Sequence, residues 1–103
     1  MMKPCVYILA SKPYGRLYIG VTSDLLQREF DHHRDLYPNS HTSQYGIKRL
    51  VWFDDGFDSL LDAIQREKTM KKWRRQWKVD LIEKHNPHWH RVHPETGEFI
   101  YDQ

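Results

Sequence analysis

The first apolar positions along the chain form two short runs separated by a turn. The runs "CVYILAS" (residues 5–11) and "RLYIGVT" (residues 16–22) are rich in β-branched and aromatic residues, which favour strands. Between them lies "KPYG", in which Pro and Gly stand two residues apart, a turn signal. The pattern therefore predicts a β-hairpin.

Helical spacing of apolar residues follows the second strand. Ser23 or Asp24 can cap a helix that runs to about Leu36. On a helical wheel the predicted apolar arc consists of Leu25, Leu26, Phe30, His33, Leu36 and Tyr37. The stretch "YPNSHTSQYG" (residues 37–46) then reads as a loop, and "IKRLVWFDD" (residues 47–55) as a third strand.

A long helical region follows the third strand. Asp58 or Ser59 can cap it, and it extends to about Lys84, bent or divided near residues 69–74. The element order β-β-α-β-α-α predicts an α/β (α+β) domain with a small, mostly antiparallel sheet covered by helices.

Length and composition agree with one small domain. The 103 residues suit a single domain, which we place at residues 1–90, and the aromatic share of 14% supplies much of a modest core. Residues 91–103 are predicted to be a C-terminal tail, since periodicity is weak there. No apolar run approaches the roughly 20 residues of a membrane helix, and no signal peptide is evident. We expect a cytoplasmic protein, and the lone Cys5 is consistent with a reducing compartment.

The distribution of charge is more informative than the net charge of +2. The segment "REKTMKKWRRQWK" (residues 66–78) holds seven Lys and Arg residues against one Glu, interleaved with Trp. Such a block is typical of a surface that binds a phosphate backbone, although a solvated helix face with extended Lys stems explains the charge equally well. The candidate nucleic-acid-binding residues are Lys71, Lys72, Arg74, Arg75 and Lys78.

Several polar side chains lie at or near predicted apolar faces. Arg28 and His32 fall one turn apart at the border of the first helix's apolar arc, where ordinary surface residues are common. Tyr7 and Tyr18 lie on adjacent strands of the hairpin, so they can converge on one cleft beside Arg28. Such a set suits phosphodiester cleavage, since Arg stabilises charge on phosphate and a Tyr oxygen or an imidazole can pass a proton.

Glu67 is harder to explain as a surface residue. It follows Leu60, Ala63 and Ile64 at helical spacing, on the predicted apolar face of its helix. A carboxylate there needs a partner, because an isolated buried charge is costly. Lys71, one turn on, can supply an ion pair, and the alternative is a divalent cation such as Mg²⁺.

Taken in order, these residues resemble the GIY-YIG nuclease superfamily. The second motif is intact as Tyr18-Ile19-Gly20, and the first is Cys5-Val6-Tyr7, with Cys in place of Gly. Arg28 and His32 follow at the family's distances, and "AIQREKTMKKWRRQWK" resembles the metal-binding helix that carries Glu67. The segment "HNPHW" resembles the end of a small stand-alone bacterial subgroup, often called URI-domain or YhbQ-like proteins.

The resemblance implies a three-stranded antiparallel sheet flanked by helices, with a metal-dependent nuclease site. Tyr18 would accept a proton or align the attacking water, with Tyr7 assisting from the neighbouring strand. Arg28 would bind the scissile phosphate, His32 would assist proton transfer, and Glu67 would hold Mg²⁺ or Mn²⁺.

Two further residues and the partners are also implied by the resemblance. Gly20 would keep the strand end open where a nucleic-acid backbone approaches, and Asn86 would hydrogen-bond near the site. The expected substrate is DNA, with RNA or branched and nicked forms as alternatives. Specificity would be low or supplied by a protein partner, because the chain is too short for a separate DNA-binding domain.

Two alternatives stay open from the residues alone. The chain can be a nucleic-acid-binding module that has the fold and little or no catalysis. The tail segment "HNPHWHRVH" holds four His residues, which raises a transition-metal site, although its spacing fits no standard zinc pattern.

Overall fold

The core of the molecule is a three-stranded antiparallel sheet. The structure is a computed structural model and describes residues 3–34 and 45–101. The strands lie in the order β2-β1-β3, with β1 at Cys5–Ala10, β2 at Leu17–Thr22 and β3 at Arg49–Asp54. All of β1 is buried, because it is the central strand and is covered on both faces. The predicted fold class and element order are confirmed.

Within the residues that the structure describes, three helices flank this sheet. They are α1 (Leu25–His33), α2 (Leu60–Lys71) and α3 (Arg75–His85). Of the candidate caps, Asp24 accepts a hydrogen bond from the Gln27 amide, and Ser59 accepts one from the Asp62 amide. The long helical region divides at residues 72–74, within the predicted interval. Among the described residues no helix has the length and apolar composition needed to cross a membrane.

The alternation of side chains along the strands builds a separate core on each sheet face. On one face, residues of all three strands pack with α2, α3 and Trp89; the buried strand residues there are Val6, Ile8, Ala10, Ile19, Val51 and Trp52. The other face packs with Leu25 of α1; its buried members also include Cys5, Tyr7, Leu9, Ile47, Leu50 and Val92.

The predicted apolar arc of α1 is wrong at two positions. Leu26 is 47% exposed and Phe30 is 46% exposed, whereas Glu29 is buried. The helix buries Leu25 and Glu29 instead, because Arg91, near the C-terminus, pairs with the Glu29 carboxylate. Leu36 and Tyr37 of the predicted arc, with most of the predicted loop, lie outside the described residues. On α2, Leu60 is likewise exposed rather than packed.

The predicted C-terminal tail contains a β-hairpin. Its strands are β4 (Arg91–Val92) and β5 (Phe99–Ile100), and they pair antiparallel. Val92 is buried in the core on the α1 face. Strands of two residues are too short to produce a periodic pattern, so the sequence did not reveal them.

Candidate active site

Tyr7 and Tyr18 lie side by side on the sheet face that α1 covers. In the β1–β2 register Tyr7 is opposite Gly20, and Tyr18 is opposite Leu9. The two tyrosine ring centroids are 6.2 Å apart. A Cβ atom at Gly20 would collide with Cζ and Oη of Tyr7. The space beside Gly20 therefore admits the Tyr7 ring, and the approach of a nucleic-acid backbone at this strand end stays a prediction.

Helix α1 adds an imidazole and a guanidinium to the two tyrosines. Nε2 of His32 is 3.4 Å from the Tyr7 hydroxyl oxygen, and the His32 ring centroid is 5.8 Å from that of Tyr18. Arg28 is exposed, and its guanidinium lies close enough to the Tyr7 hydroxyl to lower the pKa of that group. The strand-turn-helix unit from Leu17 to His33 therefore brings three of these side chains together, and β1 contributes the fourth.

The surroundings of this cluster determine which groups carry protons. Burial raises the pKa of the Tyr7 hydroxyl, and Tyr18 raises it further, while the Arg28 guanidinium opposes the shift. Burial also lowers the pKa of His32, and the positive charge of Arg28 lowers it further. At neutral pH Tyr7 therefore keeps its proton and His32 is uncharged, so His32 can accept one.

Glu29 and Arg91 support the helix that carries Arg28 and His32. Oε1 of the buried Glu29 is 2.6 Å from Nη2 of Arg91 on β4. The two residues are 62 positions apart, so no local sequence pattern indicates the pair. This ion pair joins α1, the helix that carries Arg28 and His32, to the C-terminal hairpin.

Glu67 lies on α2, whose buried residues pack on the sheet face opposite Tyr7. Its side chain is 13% exposed, and Oε2 is 3.2 Å from Nζ of Lys71, so the predicted ion pair is present. Within residues 3–34 and 45–101 no hydrogen bond joins Glu67 to the tyrosines. Helix α2 lies against the edge strand β2, which carries Tyr18. A cleft shared by Glu67 and the tyrosines stays a prediction.

The described residues hold no metal site built from several side chains. None of them form a group of three or more His, Cys, Asp or Glu side chains placed to hold a metal ion, which includes the histidines from His85 to His93. Mg²⁺ often binds through one carboxylate with waters and substrate phosphates. Glu67, a single hard-oxygen ligand with little exposure, fits a site of that kind once Lys71 turns aside.

Asn86 has a structural role away from the tyrosines. It is buried at the end of α3, and its Nδ2 donates to the backbone carbonyls of Val51 (3.0 Å) and His90 (2.8 Å). Its Oδ1 accepts from the His90 amide at 3.0 Å. The amide side chain therefore ties β3 to the segment after α3, and a hydrogen bond from Asn86 near the site stays a prediction.

The predicted nucleic-acid-binding residues divide into two groups. Lys72 and Arg74 are exposed, and Lys78 is half-buried. Lys71 pairs with Glu67, and Arg75 donates to two backbone carbonyls of the β1–β2 turn. The basic block is therefore partly a solvent-facing surface and partly structural.

A family model confirms the resemblance that the motifs indicate. The model described as "GIY-YIG catalytic domain" matches residues 3–80, well over half of the chain, and the matched segment includes Tyr7, Tyr18, Arg28, His32 and Glu67. No curated protein matched the chain in a sequence search, and no solved structure matched it either. With the three-stranded antiparallel sheet and its flanking helices, this match shows that the chain belongs to the GIY-YIG catalytic domain family, a family of nucleases.

Proposed function

We propose that the protein is a metal-dependent endonuclease that hydrolyses a phosphodiester bond in DNA. The observation that carries this proposal is the meeting of two tyrosines, an imidazole and a guanidinium on one sheet face. Tyr7, Tyr18 and His32 lie within 6.2 Å of one another between ring centroids, and the Arg28 guanidinium lowers the pKa of the same Tyr7 hydroxyl that contacts His32.

Arg28 is the residue proposed to hold the scissile phosphate. Its guanidinium stands at the open side of the cluster, and the planar fork of Arg can bind two phosphate oxygens at once. Negative charge grows on those oxygens in the transition state, so the interaction strengthens as the reaction proceeds. Lys would keep the charge and lose the two-pronged geometry.

The proton of the attacking water is proposed to pass to His32. As the water oxygen bonds to phosphorus, the bond from phosphorus to the leaving sugar oxygen breaks and that oxygen takes up a proton from solvent. The His32 ring is uncharged at neutral pH, so its unprotonated nitrogen can receive the water's proton. The Tyr18 hydroxyl aligns the water. The Tyr7 hydroxyl oxygen accepts from a protonated Nε2 of His32 and holds the imidazole in place, which leaves Nδ1 as the acceptor.

Glu67 is the residue proposed to hold Mg²⁺ or Mn²⁺. A bound divalent ion lowers the pKa of water and offsets charge on the leaving oxygen. The low exposure of the Glu67 carboxylate supports the assignment, since such a charge needs a cationic partner, and a divalent ion can take the place that Lys71 fills here.

The substrate is proposed to be DNA, recognised by structure or with low sequence specificity. Lys72 and Arg74 present charge to solvent, and Arg74 lies over the ring of the exposed Trp77. Contacts of this kind reach phosphates and not base edges, so they carry little sequence information. A protein partner would then supply specificity, RNA and branched or nicked DNA remain alternative substrates, and we propose the cytoplasm as the location.

The second candidate is a nucleic-acid-binding module with the same fold and little catalysis. The observation that favours it is the Glu67–Lys71 ion pair, which occupies the proposed metal ligand. The two candidate functions differ in whether the protein cleaves the DNA that it binds, so one cleavage assay distinguishes them.

That assay follows supercoiled plasmid and single-stranded DNA with Mg²⁺, with Mn²⁺ and with EDTA. We expect metal-dependent cleavage by the parent protein and a loss on the order of 10²-fold or more in Arg28→Lys, the scale of one preorganised transition-state donor. Arg34→Lys, the same change at the exposed C-cap of α1, is the matched control and should cleave at the parent rate. Binding without cleavage under every condition would favour the second candidate.

A further inference from the structure

A second basic site lies at the turn that joins β1 to β2. A cavity of about 500 Å³ opens there, and its lining includes the three cations Lys12, Arg16 and Arg75. Ser11 and Tyr45 also line it, and none of its lining residues is acidic. We call this the turn cavity. Its charge and its hydroxyl groups suit a phosphate.

The strand register places the turn cavity next to the candidate active site. The β1–β2 pairing continues one step beyond the strands, because the Ser11 amide donates to the Arg16 carbonyl at 3.0 Å. Arg16 precedes Tyr18 by two positions, so both lie on the sheet face that carries Tyr7. Two residues of strand span about 6.7 Å. This is comparable with the separation of neighbouring phosphates along one nucleic-acid strand.

The guanidinium of Arg16 is oriented for a ligand. It lies over the Tyr45 ring at 4.0 Å from the centroid, and stacking of this kind leaves the N–H edge of the guanidinium available. Arg16 is exposed, and in the part of the chain that the structure describes no carboxylate pairs with it. An exposed Arg stacked on an aromatic ring is suited to bidentate contact with a phosphodiester.

The turn behind Arg16 is held firmly. Nη2 of Arg75 donates to the carbonyls of Tyr14 (2.8 Å) and Gly15 (2.6 Å). The Tyr14 hydroxyl donates to Glu83, which also accepts from Nε1 of Trp89. Tyr14 has a φ of 60°, a conformation that non-glycine residues rarely keep without such support. Contacts within the protein therefore fix the backbone that lines the turn cavity, so the site is preorganised for a ligand.

We propose that the turn cavity binds the phosphodiester adjacent to the scissile one on the same DNA strand, through Arg16 and Lys12. The proposal rests on the proposed function, because it takes the position of the scissile phosphate from Arg28 and Tyr18. It adds a subsite that fixes the direction and register of the strand across the sheet face. Arg75 supports this subsite indirectly, because it holds the backbone of the turn next to Arg16.

The test measures binding of a short fluorescein-labelled DNA duplex in EDTA, over a series of salt concentrations. Arg16→Gln should weaken binding about 10-fold, as expected for one charge-assisted hydrogen bond. The slope of log affinity against log salt should fall by about 0.9, one phosphate contact. Lys3→Gln, the same charge change before the start of β1, is the control and should change both quantities far less. Arg16→Lys, which keeps the charge, should recover most of the slope.

Equal effects of Arg16→Gln and Lys3→Gln would overturn the proposal. Replacing chloride by inorganic phosphate at constant ionic strength should leave the DNA affinity of the parent protein nearly unchanged. A strong loss of affinity that disappears in Arg16→Gln would instead assign the turn cavity to free phosphate. If DNA binding depends on Arg16 but no cleavage is observed, the proposed phosphodiester site in the turn cavity stands and the proposed nuclease activity is refuted. Where cleavage occurs, Arg16→Gln should raise KM with little change in kcat, because its contact is made before and during the transition state.

Discussion

At the scale of single residues, the packing of the two tyrosines depends on the lack of a side chain at Gly20. The Tyr7 ring fills the space beside Gly20 on the neighbouring strand, and Cε2 of Tyr18 would be 2.9 Å from a Cβ added there. Gly20 is therefore part of the packing that holds both tyrosines at their present angle. Its φ is not in the left-handed region, so the requirement is for space alone.

Gly20→Ala should displace the Tyr7 ring and lower the free energy of unfolding by about 1–3 kcal/mol, the usual cost of overpacking. Urea denaturation measures that change, and the cleavage assay should show reduced activity because the cluster is disturbed. Gly56→Ala is the control, since its nearest neighbour is the Asp54 carboxylate at 3.2 Å, a side chain that can move. A Gly20→Ala protein of parent stability would contradict the packing argument.

The protonation of His32 gives a second test at this scale. Burial and the Arg28 charge hold its pKa below the ordinary value of 6.5. Between pH 6.5 and the lower pKa of the folded protein, His32 is protonated in the unfolded chain but not in the folded one. The free energy of unfolding should therefore fall as the pH drops below 6.5. Activity should be lost in the same direction, because the protonated imidazole cannot accept a proton.

NMR titration of the His32 ring measures this pKa directly. In Arg28→Gln the pKa should rise but stay below 6.5, because burial is the larger cause and is retained. Arg34→Gln should leave it unchanged. A His32 pKa at or above 6.5 in the parent protein would remove the imidazole from its proposed role as proton acceptor.

At the scale of elements, the C-terminal hairpin supports α1. Glu29 is buried against Arg91, and Nε of Arg91 is buried with no hydrogen-bond partner within the described residues. A carboxylate at a packed helix position is stable only while its cation stays in place. The hairpin therefore helps position Arg28, the residue before Glu29, although it lies at the other end of the sequence.

Arg91→Met should lower the free energy of unfolding by about 2–3 kcal/mol, somewhat less than the cost of breaking a fully buried pair, because Arg91 is partly exposed. The double variant Glu29→Leu with Arg91→Met should recover much of that loss, since no buried charge is then left unpaired. Urea denaturation of the single and the double variant is the measurement. Equal losses in the single and double variants would mean that packing, not charge, accounts for the effect.

At the scale of the whole molecule, the proposed nuclease needs residues from helices on both faces of the sheet. The tyrosine cluster and α1 occupy one face, while α2 packs on the other and carries Glu67. The edge strand β2 contacts α2 and carries Tyr18. An edge strand is where side chains from two faces can approach one another, because no further strand separates them.

Glu67→Gln should abolish metal-dependent cleavage and leave the fold intact, since the two side chains have nearly the same shape. Plasmid nicking over a range of Mg²⁺ and Mn²⁺ concentrations, with a thermal melt of each variant, measures both effects. Glu98→Gln in the exposed hairpin turn is the control and should behave as the parent. Full metal-dependent activity in Glu67→Gln would remove this residue from the metal site.

Local patterns in the sequence predicted the elements that local physics decides. Strand residues 5–10 and 17–22, the turn between them and the caps Asp24 and Ser59 all rest on short-range propensity and hydrogen bonding. The strand-turn-helix unit holding Tyr18, Arg28 and His32 is contiguous, so its grouping was predictable too. Spacing likewise placed Lys71 beside Glu67.

The tertiary structure alone decided features that depend on distant partners. Helical periodicity placed Leu26 and Phe30 inside, but the fold buries Glu29 because Arg91 arrives from 62 residues away. Asn86 was assigned toward the site, yet it bonds Val51, 35 residues distant. The turn cavity likewise needs Arg75 from α3 beside Arg16. Which charge is buried, and which cation faces an open cavity, follows from contacts between segments that no local pattern encodes.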